Sequence, residues 1–312
     1  MPHIVTLTLN PAIDVATSVP VVTPEHKLRC GSVRRDPGGG GINVAHVVRE
    51  LGGESIAVYT RGGATGLLLE ELLEDKGLLR RSIPVEGSTR ESFTVAEGTS
   101  AREYRFILPG PVLSEREWQR CLDAVAEVSV GAAFIVASGS LPQGVPEDFY
   151  ARVVRLARRL DVRAVVDTSG PPLALALAEG VYLAKPNRRE LRELTGVAAE
   201  DVATQAEAAR DLVARGRAQL LAVSMGAEGA LLTTRDGQLR ATTPPVEPRS
   251  SVGAGDSFVA GLTLALARGR PHDEALRWGI AAGTAALLSQ GTDLCKRADA
   301  ERLFTQVTAV PV

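Results

Sequence analysis

The chain has 312 residues, 45% of them hydrophobic, and a formal net charge of −2. That is enough chain for a large core, and the balanced charge offers no footprint for nucleic acid or an acidic membrane, so any phosphate binding must be local. Cys30, Cys121 and Cys295 show no C-x-x-C spacing and no apolar run reaches about 18 residues, which argues against a disulfide framework, a structural zinc or a membrane span and for a cytoplasmic protein.

Ile4 to Leu9 reads as a first strand rather than a signal peptide. Asn10-Pro11 stops it and leaves Asp14 in the loop past its carboxyl end, where open α/β sheets bind ligands. Residues 15 to 35 read as irregular and outside the core, with Lys27 and Arg29 spaced to share one face of a short extended piece. The run Pro37-Gly38-Gly39-Gly40-Gly41-Ile42-Asn43 then places four glycines at the opening of a helix that continues to Leu51. Such a run permits close approach of backbone to a small ligand, with Asn43 supplying an amide. The plainer alternative is a flexible linker, although linkers seldom run straight into a helix.

Ser55 to Thr60 is the next predicted strand, and Gly62 to Gly66 leads into a helix over 67–76. From Ser82 to Ile107 the pattern becomes a hairpin of two alternating segments about Gly98-Thr99-Ser100, with Arg90 at its base. The two extended excursions, about 15–35 and 87–108, are expected to pair as a small β-sheet lid on the main body. From Ser114, which forms a capping box with Glu117, strands and helices alternate to the end. Predicted strands cover 133–137, 164–166, 182–184 and 220–224, with a hairpin about Asp236-Gly237 and helices over 146–159, 204–215 and 274–288. Asn187 and Glu190 fall in the first turn of a further helix. The expectation is one α/β domain over 1–312 with a mostly parallel sheet and helices on both faces.

The turn Ser251-Val252-Gly253-Ala254-Gly255-Asp256 precedes a long apolar helix. Two glycines about an alanine leave consecutive amides open at the positive end of a helix dipole, a cradle for an anion. An acid inside that cradle makes sense as a base for a group that attacks the anion. The plain alternative is an ordinary helix start, with glycine for the bend and Asp256 as its N-cap.

Six separated segments in order resemble the ribokinase-like PfkB family of sugar kinases: Thr6 to Pro11 with Asp14, Lys27 to Cys30, Gly38 to Ala45, Gly62 to Gly66, Lys185-Pro186-Asn187 with Glu190, and Val252 to Ser257. The likeness covers nearly the whole chain and is strongest to the type II 6-phosphofructokinase branch. It implies ATP-dependent phosphorylation of the C1 hydroxyl of fructose 6-phosphate in glycolysis, with Asp256 as base and Gly253, Ala254 and Gly255 as the anion hole. Asp14, Gly39, Gly40, Asn43 and Ser140 correspond to sugar contacts, and Arg90 with Lys27 to the phosphate clamp. Lys185, Asn187, Ser224, Gly226, Gly229 and Thr284 correspond to the ATP site, and Asn187 with Glu190 organise Mg²⁺ largely through water. The carbonyls of Ser250, Val252, Ala286, Ser289 and Gly291 match a monovalent-cation (K⁺) site. The resemblance further implies a homodimer through the lid sheet, Lys27 acting across that interface, and a tetramer with excess MgATP.

Two features depart from the pattern. Ser251-Val252 stands where many members carry Asp-Thr, and Asn10 is shared with the branch that phosphorylates fructose 1-phosphate or tagatose 6-phosphate, so those substrates stay open. Gly40, in place of that branch's lysine, favours the 6-phosphofructokinase side. A silent sugar-phosphate sensor would need loss of the base or the cradle, and both Asp256 and Gly253-Ala254-Gly255 are present.

Overall fold

The computed structural model describes residues 3–312 except 101, 198–200 and 290–292. Its strands are β1 (Ile4–Thr8), β2 (Ala12–Val19), β3 (Arg34–Gly38), β4 (Ser55–Arg61), β5 (Leu79–Pro84), β6 (Arg90–Glu97), β7 (Glu103–Ile107), β8 (Phe134–Ser138), β9 (Arg163–Asp167), β10 (Val181–Ala184), β11 (Ala218–Ser224), β12 (Ala230–Thr233), β13 (Gln238–Ala241) and β14 (Ala309–Pro311). The helices are α1 (Gly40–Glu50), α2 (Gly63–Asp75), α3 (Glu115–Val128), α4 (Phe149–Arg159), α5 (Gly170–Ala178), α6 (Arg188–Thr195), α7 (Val202–Ala214), α8 (Ala254–Ala267), α9 (His272–Leu287) and α10 (Arg297–Phe304). None of the described helices is long and apolar enough to cross a membrane.

The large sheet runs β14-β13-β12-β11-β10-β9-β8-β1-β4-β5. It is parallel from β11 to β5 and antiparallel at the β12, β13 and β14 end. Its central strands are apolar on both faces, as a sheet sandwiched between helices requires. Val5, Leu7, Ile135, Ala137 and Val166 join a core with Trp118 of α3 and Phe149 and Val153 of α4. Ile4, Phe134, Val136 and Val165 point to the other side, against Val44 and Val47 of α1, the largely buried α8 and the buried face of α9. The result is three layers, helices over sheet over helices.

The chain leaves β1 for β4 and β5 on one side, then returns to β8 on the other side and continues outward. The strand order therefore reverses between β1 and β8, which opens a crevice at their carboxyl ends. Over that crevice sits the second sheet, β3-β2-β6-β7, in which β2 and β6 run parallel and both outer pairs antiparallel. Register puts Asp14 beside Ser92 and Asp36, and Thr94 beside Arg105, so one face is polar. Ile13, Val15 and Phe93, of opposite parity, pack on Leu69, Leu73 and Ile42.

Two expectations need correction: Asp14 lies within β2 rather than in a loop after β1, and residues 15–35 are not irregular throughout. Most of β2 lies there, and Val15 and Val19 are buried because alternate β2 residues cover the α1–α2 surface. Lys27 and Arg29, by contrast, share no strand: residues 21–33 form an exposed connection between β2 and β3. The elements β5, α5, α10 and β14 also emerge only here.

Candidate active site

The carboxyl ends of β1, β8, β9, β10 and β11 converge below the small sheet, and two cavities open there. The first, of about 320 Å³, is polar and is lined by Asp14, Gly39, Gly40, Asn43, Arg90, Ser92, Arg105, Gly139, Ser140, Asp167, Glu190, Val252, Gly253 and Asp256, among others. The second, of about 760 Å³, has apolar walls from Pro244, Pro245, Val246, Phe258, Ile280 and Leu287, and also touches Ser224, Gly226, Gly229 and Thr284. The turn that begins α8 separates them. Val252, Gly253 and Asp256 face the first cavity, while Ser251, Ala254 and Gly255 face the second.

Local chemistry explains why the chain turns here. Gly253 is the N-cap of α8 at φ 70°, a left-handed conformation that costs other residues strain. A Cβ on it would stand 2.2 Å from Leu294 Cδ2, so the bare backbone is also a packing requirement. The fourteen-residue helix behind it points its unpaired amides and dipole at the boundary between the cavities. Gly39 plays the matching part for α1. Its φ is 123°, and a Cβ there would lie 2.6 Å from Thr8 Cγ2.

Asp256 sits where these two helix starts meet. Asn43 Nδ2 of α1 donates to Asp256 Oδ2 at 2.7 Å. Burial, with the Asp167 carboxylate, pushes Asp256 up to about 6, against the pull of the Asn43 bond and of Lys185. Asp14 is likewise pushed to about 6 by burial, opposed by Arg90 and Arg105. Lys185, only 7% exposed, pairs with Asp167 at 3.1 Å. Burial alone would lower the ammonium, but Asp167, with Glu190 and Asp256 nearby, outweighs it and keeps the charge. The Lys185 Nζ lies 3.7 Å from where a Cβ on Gly255 would be, so the charge reaches the amide cradle.

Arg90 is held by its surroundings. Its Nε and Nη2 donate to the Asn10 carbonyl at 3.3 and 3.2 Å, and Nη1 donates to that of Leu108 at 3.3 Å. With five N–H groups, it retains donors for an anion. The Asn10 side chain donates to Ser140 Oγ at 3.1 Å, so one residue steadies both Arg90 and the serine. Asn187 and Glu190 form a reciprocal capping box on α6. The Asn187 amide donates to Glu190 Oε2 at 2.8 Å and the Glu190 amide to Asn187 Oδ1 at 2.9 Å.

The predicted residues thus divide. Asp14, Gly39, Gly40, Asn43, Arg90, Ser140, Glu190, Val252, Gly253 and Asp256 line the first cavity, and Ser224, Gly226, Gly229, Ala254, Gly255 and Thr284 the second. Lys185 lies beneath the boundary, while Lys27 is exposed and lines neither cavity. Of the cation-site candidates, Ser250, Ala286 and Ser289 fall in neighbouring segments joined by the Arg249 amide donating to the Leu287 carbonyl at 2.7 Å; Gly291 lies outside the described residues.

Sequence reasoning missed Arg105, Ser92 and Asp167. Strand alternation from Glu103 could have put Arg105 on the same face as Arg90, but only the β6–β7 register shows it. Asp167 ends β9, a position that itself signals ligand contact in a parallel sheet.

Residues 4–299 match the family model described as pfkB family carbohydrate kinase. An ATP-dependent 6-phosphofructokinase isozyme 2 of Mycobacterium tuberculosis is 50% identical over 303 residues, covering 97% of this chain and 89% of that protein. A 1-phosphofructokinase of Xanthomonas campestris is 40% identical over 266 residues, covering 84% and 83%. The structure of Escherichia coli phosphofructokinase-2 in complex with potassium superposes with a TM-score of 0.94 at 40% identity, covering 98% of this chain and 99% of that one. The same E. coli enzyme in complex with fructose-6-phosphate gives 0.93 at 38% identity, with the same coverage. Arabidopsis thaliana ribokinase, at 21% identity, 0.77 and coverage of 97% and 98%, shares the fold. With the model matching nearly its whole length, this chain belongs to the pfkB family of carbohydrate kinases.

Proposed function

We propose that the protein transfers the terminal phosphoryl group of ATP to the C1 hydroxyl of fructose 6-phosphate, giving fructose 1,6-bisphosphate. The observation that carries this reading is the position of Asp256, which faces the polar cavity from a turn whose next residues back onto the apolar one. A sugar phosphate fits the first cavity and the nucleotide the second, with the amides of Gly253, Ala254 and Gly255 between them.

In this reading Arg90 and Arg105 grip the 6-phosphate at the small-sheet end, where guanidinium forks suit its oxygens. Asp14, Gly39, Gly40, Asn43 and Ser140 orient the sugar hydroxyls. Asp256 accepts the proton of the C1 hydroxyl as it attacks; with its carboxyl near pH 6 it is mostly ionised at neutral pH yet still basic enough to take a proton. The cradle amides and Lys185 hold the charge that develops on the group in transit. Asn10 and the 1-phosphofructokinase relatives keep fructose 1-phosphate as the second substrate to test.

Glu190, which lines the polar cavity, and Asn187 are the residues for a divalent ion, which would offset charge on the transferred group. Among the described residues no three His, Cys, Asp or Glu side chains gather tightly enough to grip a metal directly. That donor set fits Mg²⁺, which keeps several waters. K⁺ is assigned to the carbonyls of Ser250, Val252, Ala286 and Ser289, in keeping with the potassium complex of the E. coli relative.

The small sheet and its connections leave Val21, Leu28, Val33, Phe106, Ile107 and Leu108 exposed, an apolar surface suited to a second copy. The sheet is assigned as lid and dimer contact, with Lys27 reaching the partner's phosphate site. The E. coli relative has a tetrameric inhibited form, and a tetramer with excess MgATP is assigned here by analogy.

Incubation with ATP, Mg²⁺ and fructose 6-phosphate followed by ³¹P NMR tests the assignment. Two phosphomonoester signals matching fructose 1,6-bisphosphate are expected. A product phosphorylated elsewhere, or none, would overturn it.

A further inference from the structure

Arg34 lies on β3, the edge strand of the small sheet, and lines neither cavity. Its guanidinium grips Asp293, 259 residues away in sequence, with Nη1 donating to Oδ2 at 2.9 Å and Nη2 donating to Oδ1. The same guanidinium holds Asp36 of its own strand, through Nε at 2.6 Å and Nη2 at 2.9 Å. Asp293 is held below the usual carboxylate range by this arginine.

Both ends of the bridge lead to the site. Asp36 is buried and stands opposite Asp14 in the sheet register. Asp293 precedes Leu294, a buried residue whose carbonyl accepts from Ser289 Oγ at 2.9 Å and whose Cδ2 occupies the space beside Gly253. The Leu294 side chain therefore packs against Gly253, the N-cap of α8. An isolated surface pair contributes little, but a two-point arginine fork within a network of carboxylates fixes geometry as well as charge.

We propose that Arg34 is a positioning residue that, through Asp293 and Leu294, ties the small sheet to the amide cradle and keeps Gly253 seated for phosphoryl transfer. The inference rests on the kinase reading above and extends it. Since the cradle acts on charge that appears only in the transition state, loosening it lowers kcat and leaves the KM for the sugar phosphate nearly unchanged.

The test is a double-mutant cycle with Arg34→Ala, Asp293→Ala and both together, read by steady-state kinetics and by amide hydrogen exchange of residues 253–257 and 293–296. Each single change should lower kcat about tenfold with KM within about twofold, the double should cost no more than either single, and exchange should speed up in both segments. Arg34→Lys, which keeps the charge without the fork, should recover part of the loss. Additive losses, a change confined to KM, or unaltered exchange would each refute the coupling. Exchange is read without turnover, so an inactive wild type would count against the kinase reading, while the effect of Arg34→Ala on exchange would still decide this one.

Discussion

Asn43, in the first turns of α1, donates a 2.7 Å hydrogen bond to Asp256, in the first turn of α8. Two glycine-led helix starts, 213 residues apart, are thereby joined at one carboxylate. The bond helps to keep Asp256 charged although burial favours its neutral form.

The first prediction concerns pH. The acid limb of kcat should fall near pH 6, because Asp256 in its proposed role as base works only when ionised. Asn43→Ala removes a bond to the charged form and moves that limb upward by about one unit. A limb that stays in place would show that the bond does not tune the base.

Stability gives an independent check on the same group. A carboxyl whose folded value is raised from 3.8 to about 6 favours the fold below the unfolded value, and that contribution is lost as pH rises through the folded one. Asp256→Asn should therefore stabilise the ligand-free protein at pH 7 by about 1–2 kcal/mol, with the gain shrinking toward pH 4. Thermal melts across pH 4–8 would measure it. The same substitution should cost at least about a hundredfold in kcat.

Arg90→Ala and Arg105→Ala should each raise the KM for a phosphorylated sugar roughly 10- to 100-fold, the scale of a charged hydrogen bond. Neither should alter KM for an unphosphorylated sugar. Comparing the two kinds of acceptor separates a phosphate clamp from general damage to the small sheet.

Gly253→Ala combines backbone strain at φ 70° with a clash against Leu294. It should destabilise by about 1–3 kcal/mol and depress kcat more than KM. Adding Leu294→Ala should relieve part of the stability loss, which calorimetry can resolve.

Asp167→Asn should destabilise by about 3 kcal/mol or more, since it leaves the Lys185 ammonium buried without its ion partner. Urea titration at pH 7 checks this.

Much of this site was readable because its residues follow backbone rules. Glycines at 38–41 and at 253 and 255 mark helix starts, and the box of Asn187 with Glu190 marks another. The small sheet was legible as a hairpin plus an extended excursion. What stayed hidden depends on register and long-range contact. Arg105 enters the site only through its pairing opposite Thr94, and Asp293 matters only because Arg34 finds it across the fold. Residues 15–35 read as irregular with Pro20 and Pro24 among them, yet β2 takes up their first part and its alternate residues pack over α2. Lys27 shared no strand with Arg29 because no neighbouring strand pairs with 21–33.

The most direct test of the account is a coupled assay of ADP release with fructose 6-phosphate, tagatose 6-phosphate, fructose 1-phosphate and unphosphorylated fructose, run on wild type and Asp256→Asn. The account predicts the highest kcat/KM for fructose 6-phosphate, weak use of the unphosphorylated sugar, and near-complete loss in the variant with KM little changed. Turnover that prefers an unphosphorylated sugar, or that survives in Asp256→Asn, would contradict it.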